Sequence, residues 1–172
     1  MFRRVDDFKT LWRQEAQHTL AVLAAIPDTA AGQGVGGGHR DLRRLAWHLV
    51  ETLLELPPRL GLRVKGPVAL GPDGHLGAPP ERMADIAAAY GALTDSLLDH
   101  IGGWSNSELG RTFQLYGEGW TGAFALFVLL NHQTHHRGQM TVLMRQAGLR
   151  VPEVCGPVQE SWDQMGVPPP AV

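Results

Sequence analysis

Residues 121–147 form the longest stretch of the chain in which apolar residues recur at helical spacing without a proline. Such a run predicts one long helix, because its apolar positions would line a single face. His132 and His136 lie four residues apart within it, on the face that also carries Met140. Side chains at this spacing leave a helix side by side, with Cβ atoms about 5–6 Å apart. Both imidazoles are therefore expected to point into an interior rather than into water.

Three further segments have the same periodicity, at residues 6–26, from 39 or 41 to 56, and 81–101. Proline or paired glycine ends each of them, and the second is predicted to stop before Pro57. The apolar stripe of the first is Phe8, Leu11, Trp12, Thr19, Val22, Leu23 and Ile26, and that of the second is Leu42, Leu45, Leu49, Leu53 and Leu56. Four helices with one apolar face each predict an all-α four-helix bundle.

The connections between these helices differ in kind. Residues 59–80 are dense in glycine and proline, and they predict a long crossover that lets helices 2 and 3 run in the same direction. Residues 32–38 match Gly-x-Gly-x-x-Gly but follow a helical pattern, so a flexible connection is favoured over a dinucleotide site. The 172 residues are expected to form a single domain, with a core at 5–150 and an irregular C-terminal tail at 151–172.

A pair of histidines at this spacing can also be a solvated face or two core residues bonded to the backbone, so a third ligand is needed to favour a metal site. His48 lies on the apolar stripe of the second helix, next to Leu45 and Leu49. Two inward-facing helices could then supply three nitrogens and leave coordination positions open, as in catalytic metal sites. Glu51 follows one turn later and is the candidate catalytic carboxylate, either orienting a ligand and accepting a proton or lying on a solvated face.

A longer motif surrounds the two histidines of the fourth helix. The run Leu130-Asn131-His132-Gln133-Thr134-His135-His136-Arg137-Gly138-Gln139, continued by Leu143-Met144-Arg145-Gln146-Ala147-Gly148 and Val151-Pro152, resembles the C-terminal helix signature of the DinB/YfiT-like family of metalloenzymes. These are the DNA-damage-inducible DinB proteins, not the DNA polymerase of that name. The family holds its metal with one histidine of the second helix and two of the fourth, which the resemblance places on His48, His132 and His136. It also implies a homodimer.

Three neutral imidazoles would leave a divalent ion its full charge, so a bound water or thiol would have a lowered pKa. Zn²⁺ and Ni²⁺ both suit nitrogen ligands, and Fe²⁺ and Mn²⁺ stay open. Gln133 stands where a zincin protease carries its glutamate, which argues against that class. The resemblance implies instead a metal-dependent hydrolase, or a transferase that activates a low-molecular-weight thiol, acting on a small-molecule substrate. The alternative is a non-catalytic metal-binding dimer of the stress response.

Charge and hydropathy exclude several other classes. A net charge of −2, with no basic cluster longer than Arg43-Arg44, argues against a nucleic-acid partner. The longest apolar run, residues 123–130, falls short of the roughly 20 residues that span a membrane. The first residues lack the apolar segment of a secretory signal, so a cytoplasmic location is expected.

Several polar residues keep open roles. Glu15 and His18 spell a single Glu-x-x-His, and without the second copy that a di-iron bundle uses they are predicted to be surface or rim residues. His135 could support a ligand, lie in an interface or be solvated, and Arg137 could bind an anionic substrate or cap a neighbouring helix. Cys155 is the only cysteine, so it forms no intrachain disulfide, and it has no evident base beside it.

Overall fold

The computed structural model describes residues 1–166 and 168. Its four long helices are α1 (Val5–Ala24), α2 (Leu42–Arg59), α3 (Met83–Ile101) and α4 (Gly122–Gln146). Two short strands, β1 (Thr112–Leu115) and β2 (Glu118–Thr121), pair antiparallel before α4. These elements confirm the predicted all-α four-helix bundle with its long connection between α2 and α3. In the tail, a 3₁₀ helix spans Gln159–Met165, whereas residues 167 and 169–172 lie outside the described part.

The end of α2 differs from the prediction, because the helix continues to Arg59 and includes both Pro57 and Pro58. A proline in a last helical turn lacks its own N–H, but its fixed φ is helical and its carbonyl still accepts hydrogen bonds. The backbone N–H groups of Leu60 and Leu62 donate to the Pro57 carbonyl at 3.0 and 3.1 Å. The last turn of α2 therefore includes both prolines, and the helix does not end before them.

Asp28 ties the starts of α2 and α3 to one end of the bundle. Its carboxylate accepts a hydrogen bond from the backbone N–H of Met83 at 2.7 Å, and its carbonyl accepts one from the Arg43 guanidinium at 3.4 Å. Met83 begins α3 and Arg43 lies in the first turn of α2. Both helices therefore start beside the end of α1 and run in the same direction, as the crossover predicted.

The core lies between the helices, with α1 and α2 each packed against α3 and α4. All five leucines of the predicted α2 stripe are buried. The predicted apolar stripe of α1 is wrong at Leu11, which is 47% exposed. The neighbouring Trp12 turns into the core instead and stacks on Phe8, with 5.6 Å between the ring centroids. None of the helices described is both long and apolar enough to cross a lipid bilayer.

The β hairpin places an aromatic residue over the end of α2. Its turn residues Tyr116 and Gly117 have positive φ values of 53° and 83°, the backbone of a two-residue turn that matches strand twist. Tyr116 is 54% exposed, and its hydroxyl donates to Glu55 Oε1 at 2.9 Å. Trp120 packs on Tyr116, with 5.4 Å between ring centroids. The hairpin is thus fastened to the C-terminal half of α2.

Candidate metal centre

Helices α2 and α4 bring His48, His132 and His136 together. Each offers one ring nitrogen, and the three nitrogens lie within 4.8 Å of one another. The distance between His48 Nε2 and His132 Nε2 is 3.1 Å. His136 is buried, and the other two are half-buried. Across residues 1–166 and 168, no other group of histidine, cysteine or carboxylate side chains gathers three ligand atoms in this way.

The spacing of these nitrogens suits a shared cation. Nitrogens bound to one zinc ion at about 2.0–2.1 Å lie about 3.3 Å apart in a tetrahedral site, and His48 and His132 approach to 3.1 Å. A hydrogen bond between two neutral rings would satisfy one pair of nitrogens, whereas a cation satisfies all three. The three histidines could therefore hold a divalent metal ion.

Glu51 supports His48 from one turn further along α2. Its Oε1 lies 3.4 Å from His48 Nδ1, within ion-pair range, although Nδ1 is not aligned for a hydrogen bond with any described residue. Glu51 is only 4% exposed, so the solvated-face alternative is wrong. Its Oε2 accepts the backbone N–H of Leu76 at 2.9 Å. The crossover between α2 and α3 thus fixes the carboxylate beside the ring.

Glu51 is charged despite its burial. Burial raises the pKa of its carboxyl, but the N–H of Leu76 and the rings of His75 and His48 outweigh burial, and the net pKa is lowered. His75 Nδ1 lies 3.4 Å from Glu51 Oε1, on the exposed side. The result is a buried negative charge directly behind His48, which would lower the free energy of a cation at the cluster.

A side chain that sequence reasoning missed, Gln139, orients His136. The Gln139 Oε1 lies 2.8 Å from His136 Nδ1, which sets Nδ1 as the protonated nitrogen and leaves Nε2 free to bind a cation. The Gln139 amide nitrogen lies 3.1 Å from His135 Nε2. His135 is exposed and contacts the cluster through this amide and the edge of the His136 ring. The only sequence signal was the i,i+3 spacing of His136 and Gln139.

Gln133 has a structural role in the core. It is fully buried, and its Oε1 accepts the Tyr90 hydroxyl of α3 at 3.1 Å. Its amide nitrogen donates to Thr52 Oγ1 at 2.7 Å and to the Leu49 carbonyl at 3.2 Å, both on α2. Because Gln133 directly follows His132, these hydrogen bonds hold this part of α4 against α2. They fix the position of α4 along α2 at which His132 lies opposite His48.

All three histidines have a lowered pKa. Burial, followed by the charges of Arg40 and the other two histidines, lowers the pKa of His48 from 6.5 to about 4. Burial is also the first cause for His132, followed by His135, and for His136, where the bond to Gln139 opposes it. The rings are therefore neutral near pH 7. A metal ion binds only this neutral form.

Two openings reach the cluster. A pocket of about 600 Å³ lies between His136 and Arg40, and a space of about 60 Å³ lies between His132 and Tyr116. Ligand pockets for small molecules have volumes of about 300–1,000 Å³, and one water occupies about 30 Å³. The larger pocket is therefore large enough for a small-molecule substrate, whereas the smaller space has room only for water.

Glu15 and Arg137 correct the sequence interpretation. Glu15 was predicted at the surface or rim but is 7% exposed, and Arg137 is 2% exposed. The two form an ion pair, with Arg137 Nη2 at 3.1 Å from Glu15 Oε2. Arg137 thus lies inside the protein, paired with Glu15 between α1 and α4, rather than on the wall of the pocket or at the end of a helix. Cys155 is exposed, and its Sγ lies 3.8 Å from Arg137 Nη2.

Comparison with known proteins agrees with this geometry. The chain is 32% identical over 171 residues to an uncharacterised protein, YrdA, of Bacillus subtilis, covering 99% of each. It is similar to the crystal structure of a DinB-like protein from Bacillus cereus, with a TM-score of 0.81, 32% identity and coverage of 90% of this chain and 99% of that one. A DinB-like protein of Bacillus subtilis, YjoA, has the same fold at 14% identity, with a TM-score of 0.67 and coverage of 86% and 96%.

Helical bundles build metal and cofactor sites from side chains on facing helices, and this chain is a four-helix bundle in which two helices bring three histidines together. The sequence model of the DinB family matches residues 1–170. The chain belongs to the DinB family.

Proposed function

We propose that the protein is a metal-dependent enzyme whose divalent ion is held by His48, His132 and His136. The observation that carries the proposal is the convergence of three neutral imidazole nitrogens within 4.8 Å of one another, with one of the three rings, His136, lining a pocket. Zinc and nickel suit such a donor set, and iron and manganese remain alternatives. When bound, the ion would supply Lewis-acid chemistry and a lowered pKa for a water or thiol.

The residues around the three histidines position the rings and the substrate. Glu51 places a negative charge 3.4 Å from Nδ1 of His48, while Gln139 sets the tautomer of His136. The pocket beside His136 positions a small-molecule substrate, and burial of the cluster limits access of bulk water. Glu51 faces Nδ1 of His48 while Nε2 faces His132, so it acts as a positioning residue rather than as a base that touches substrate.

The reaction is a hydrolysis or the transfer of a low-molecular-weight thiol to a substrate. Both need an anionic nucleophile beside a cation, and neither needs a carboxylate in the pocket. A non-catalytic metal-binding stress protein is the alternative, and absence of any exchangeable position at the metal would support it. As the family resemblance implies, we propose that the protein acts as a homodimer.

Elemental analysis of the purified protein tests this function together with three single variants. His48→Ala, His132→Ala and His136→Ala should each lower metal affinity at least about tenfold, since loss of a ligand should cost no less than loss of a supporting residue. His100→Ala is the matched control, because His100 lies on α3 and bonds to the Ser96 carbonyl at 2.8 Å. His75 and His39 are poorer controls, because His75 contacts Glu51 and His39 lines the pocket. Full affinity in His48→Ala would refute the three-histidine site.

A further inference from the structure

The pocket beside the cluster carries a cation that has no partner. Arg40 precedes Asp41, the N-cap of α2, and its side chain is exposed. Within residues 1–166 and 168 it forms no ion pair and donates no hydrogen bond from its guanidinium. Arg137, the other arginine close to the histidines, is neutralised by Glu15. Arg40 is therefore the guanidinium that remains available to a ligand.

The described residues that line the pocket leave the positive charge of Arg40 without a nearby negative charge in the cavity. Arg40 and His136 belong to the same cavity of about 600 Å³. Apolar side chains, among them Leu45, Val142 and Leu143, form much of the wall, and the described lining contains no carboxylate. A pocket of this kind has a positive potential and an apolar surface. It favours a ligand that combines one negative charge with a hydrocarbon portion.

The charge of Arg40 also reaches the cluster. It contributes to the lowered pKa of His48, His132 and His136 alike. With a divalent ion at the histidines, two positive centres would face one cavity, while the nearest carboxylate to His48, Glu51, lies behind that ring and not in the cavity lining. An anionic ligand in the cavity would lower the free energy of this arrangement.

We propose that Arg40 is the specificity residue of this site, binding the carboxylate of a small organic acid whose apolar chain lies along Leu45, Val142 and Leu143 and whose reacting end meets the histidine cluster. This inference rests on the proposed function and names its substrate class. A guanidinium suits a carboxylate because its planar donors match the two oxygens.

The glycine-rich connection before α2 shapes this wall. Gly36, Gly37 and Gly38 have positive φ values of 81°, 65° and 77°. Residues with side chains rarely adopt this backbone, so the glycines let the chain turn tightly and leave the cavity open beside Arg40. The segment that the sequence presents as a flexible connection is therefore one side of the binding pocket.

Isothermal titration calorimetry with two probes of equal chain length, hexanoate and 1-hexanol, tests the role of Arg40 in the zinc-loaded protein. The wild type should bind hexanoate at least about tenfold more tightly than 1-hexanol at low ionic strength, the factor that one charge-assisted contact supplies. Arg40→Gln should reduce this ratio to about threefold or less, and Arg40→Lys should keep part of it. Arg63→Gln changes the net charge equally outside the pocket and should keep the wild-type ratio.

Two results would overturn the inference. The first is a wild-type ratio that persists in Arg40→Gln, which would mean that the metal or another group selects the anion. The second is a wild type that binds neither probe or shows no preference for hexanoate. Zinc content is measured first, by elemental analysis. A wild type that retains no divalent metal, even after incubation with zinc, would overturn the proposed function, while the hexanoate preference of the same protein would still decide the role of Arg40.

Discussion

At the scale of single residues, the cluster combines three neutral rings with one buried carboxylate. Glu51 stays ionised because the N–H of Leu76 and two histidine rings stabilise its charge. His48 stays neutral because burial and nearby cations disfavour its protonation. The two groups are 3.4 Å apart, so a cation at the cluster would gain from both. Neither property follows from residue type alone.

Glu51→Gln should weaken metal binding by about 10–100-fold, the usual cost of losing the group that supports a metal-bound histidine. The amide keeps the shape and can still accept the N–H of Leu76, but it removes the negative charge behind His48. Affinity is measured by competition with a chromophoric chelator. Glu81→Gln, an exposed glutamate before α3, is the control. A loss of less than about twofold in Glu51→Gln would show that the carboxylate has no part in the site.

The metal-free protein should lose stability as the pH falls. The pKa of His48 is about 4 in the folded state and about 6.5 in an unfolded chain. Between these values the unfolded state binds more protons, so the free energy of unfolding falls as the pH decreases from about 6.5 to about 4, by up to about 1.4 kcal/mol per pH unit. Urea unfolding at several pH values should show this loss. His48→Gln should be less pH-dependent in the same window, and equal slopes would contradict the assignment.

At the scale of the helices, the pairing of α1 with α4 depends on a buried ion pair. Arg137 donates to Glu15 and to Thr19 Oγ1 at 3.3 Å, and the Thr134 hydroxyl bonds to Glu15 at 3.1 Å. Each charge is satisfied only while the partner is present. The pair holds α4 to α1 in the same turn as His136, and therefore helps to keep that ring at the cluster.

Arg137→Met should lower the free energy of unfolding by about 3–5 kcal/mol, because it leaves the carboxylate of Glu15 buried without its partner. The double variant Glu15→Leu with Arg137→Met should recover most of that loss, since two apolar side chains can fill the same space. Urea unfolding measures both. Arg145→Met is the matched control, because Arg145 lies on the same helix in an exposed pair with Glu160 and should change stability little. A single variant as stable as wild type would refute the ion pair.

The helices themselves were largely predictable, whereas their contacts were not. Apolar periodicity predicts the five buried leucines of α2 because burial of one helical face repeats every three to four residues. It fails at Leu11 and at Glu15, where neighbours in space decide which side chain enters the core. Glu15 and Arg137 are 122 residues apart, and no local pattern reports such a pair.

At the scale of the whole molecule, the site is assembled from four separate parts of the chain. The helices α2 and α4 supply the histidines, the crossover supplies the N–H that fixes Glu51, and the glycine-rich connection supplies Arg40. Spacing and family resemblance sufficed to predict that the histidines meet. The pocket could not be predicted, because it depends on how the irregular connection before α2 packs against α2 and α4.

The choice between thiol transfer and hydrolysis is tested on the whole protein after cobalt substitution. Three neutral imidazoles donate no negative charge to the ion directly, so it should accept a thiolate as readily as hydroxide. Adding 2-mercaptoethanol should then produce saturable sulfur-to-metal charge-transfer absorption with release of protons. His136→Ala should abolish the band. Cys155→Ala should keep it, because Cys155 is exposed and its Sγ accepts a hydrogen bond from Arg137 rather than lying at the cluster. A spectrum that responds to hydroxide or acetate but to no thiol would favour the hydrolase.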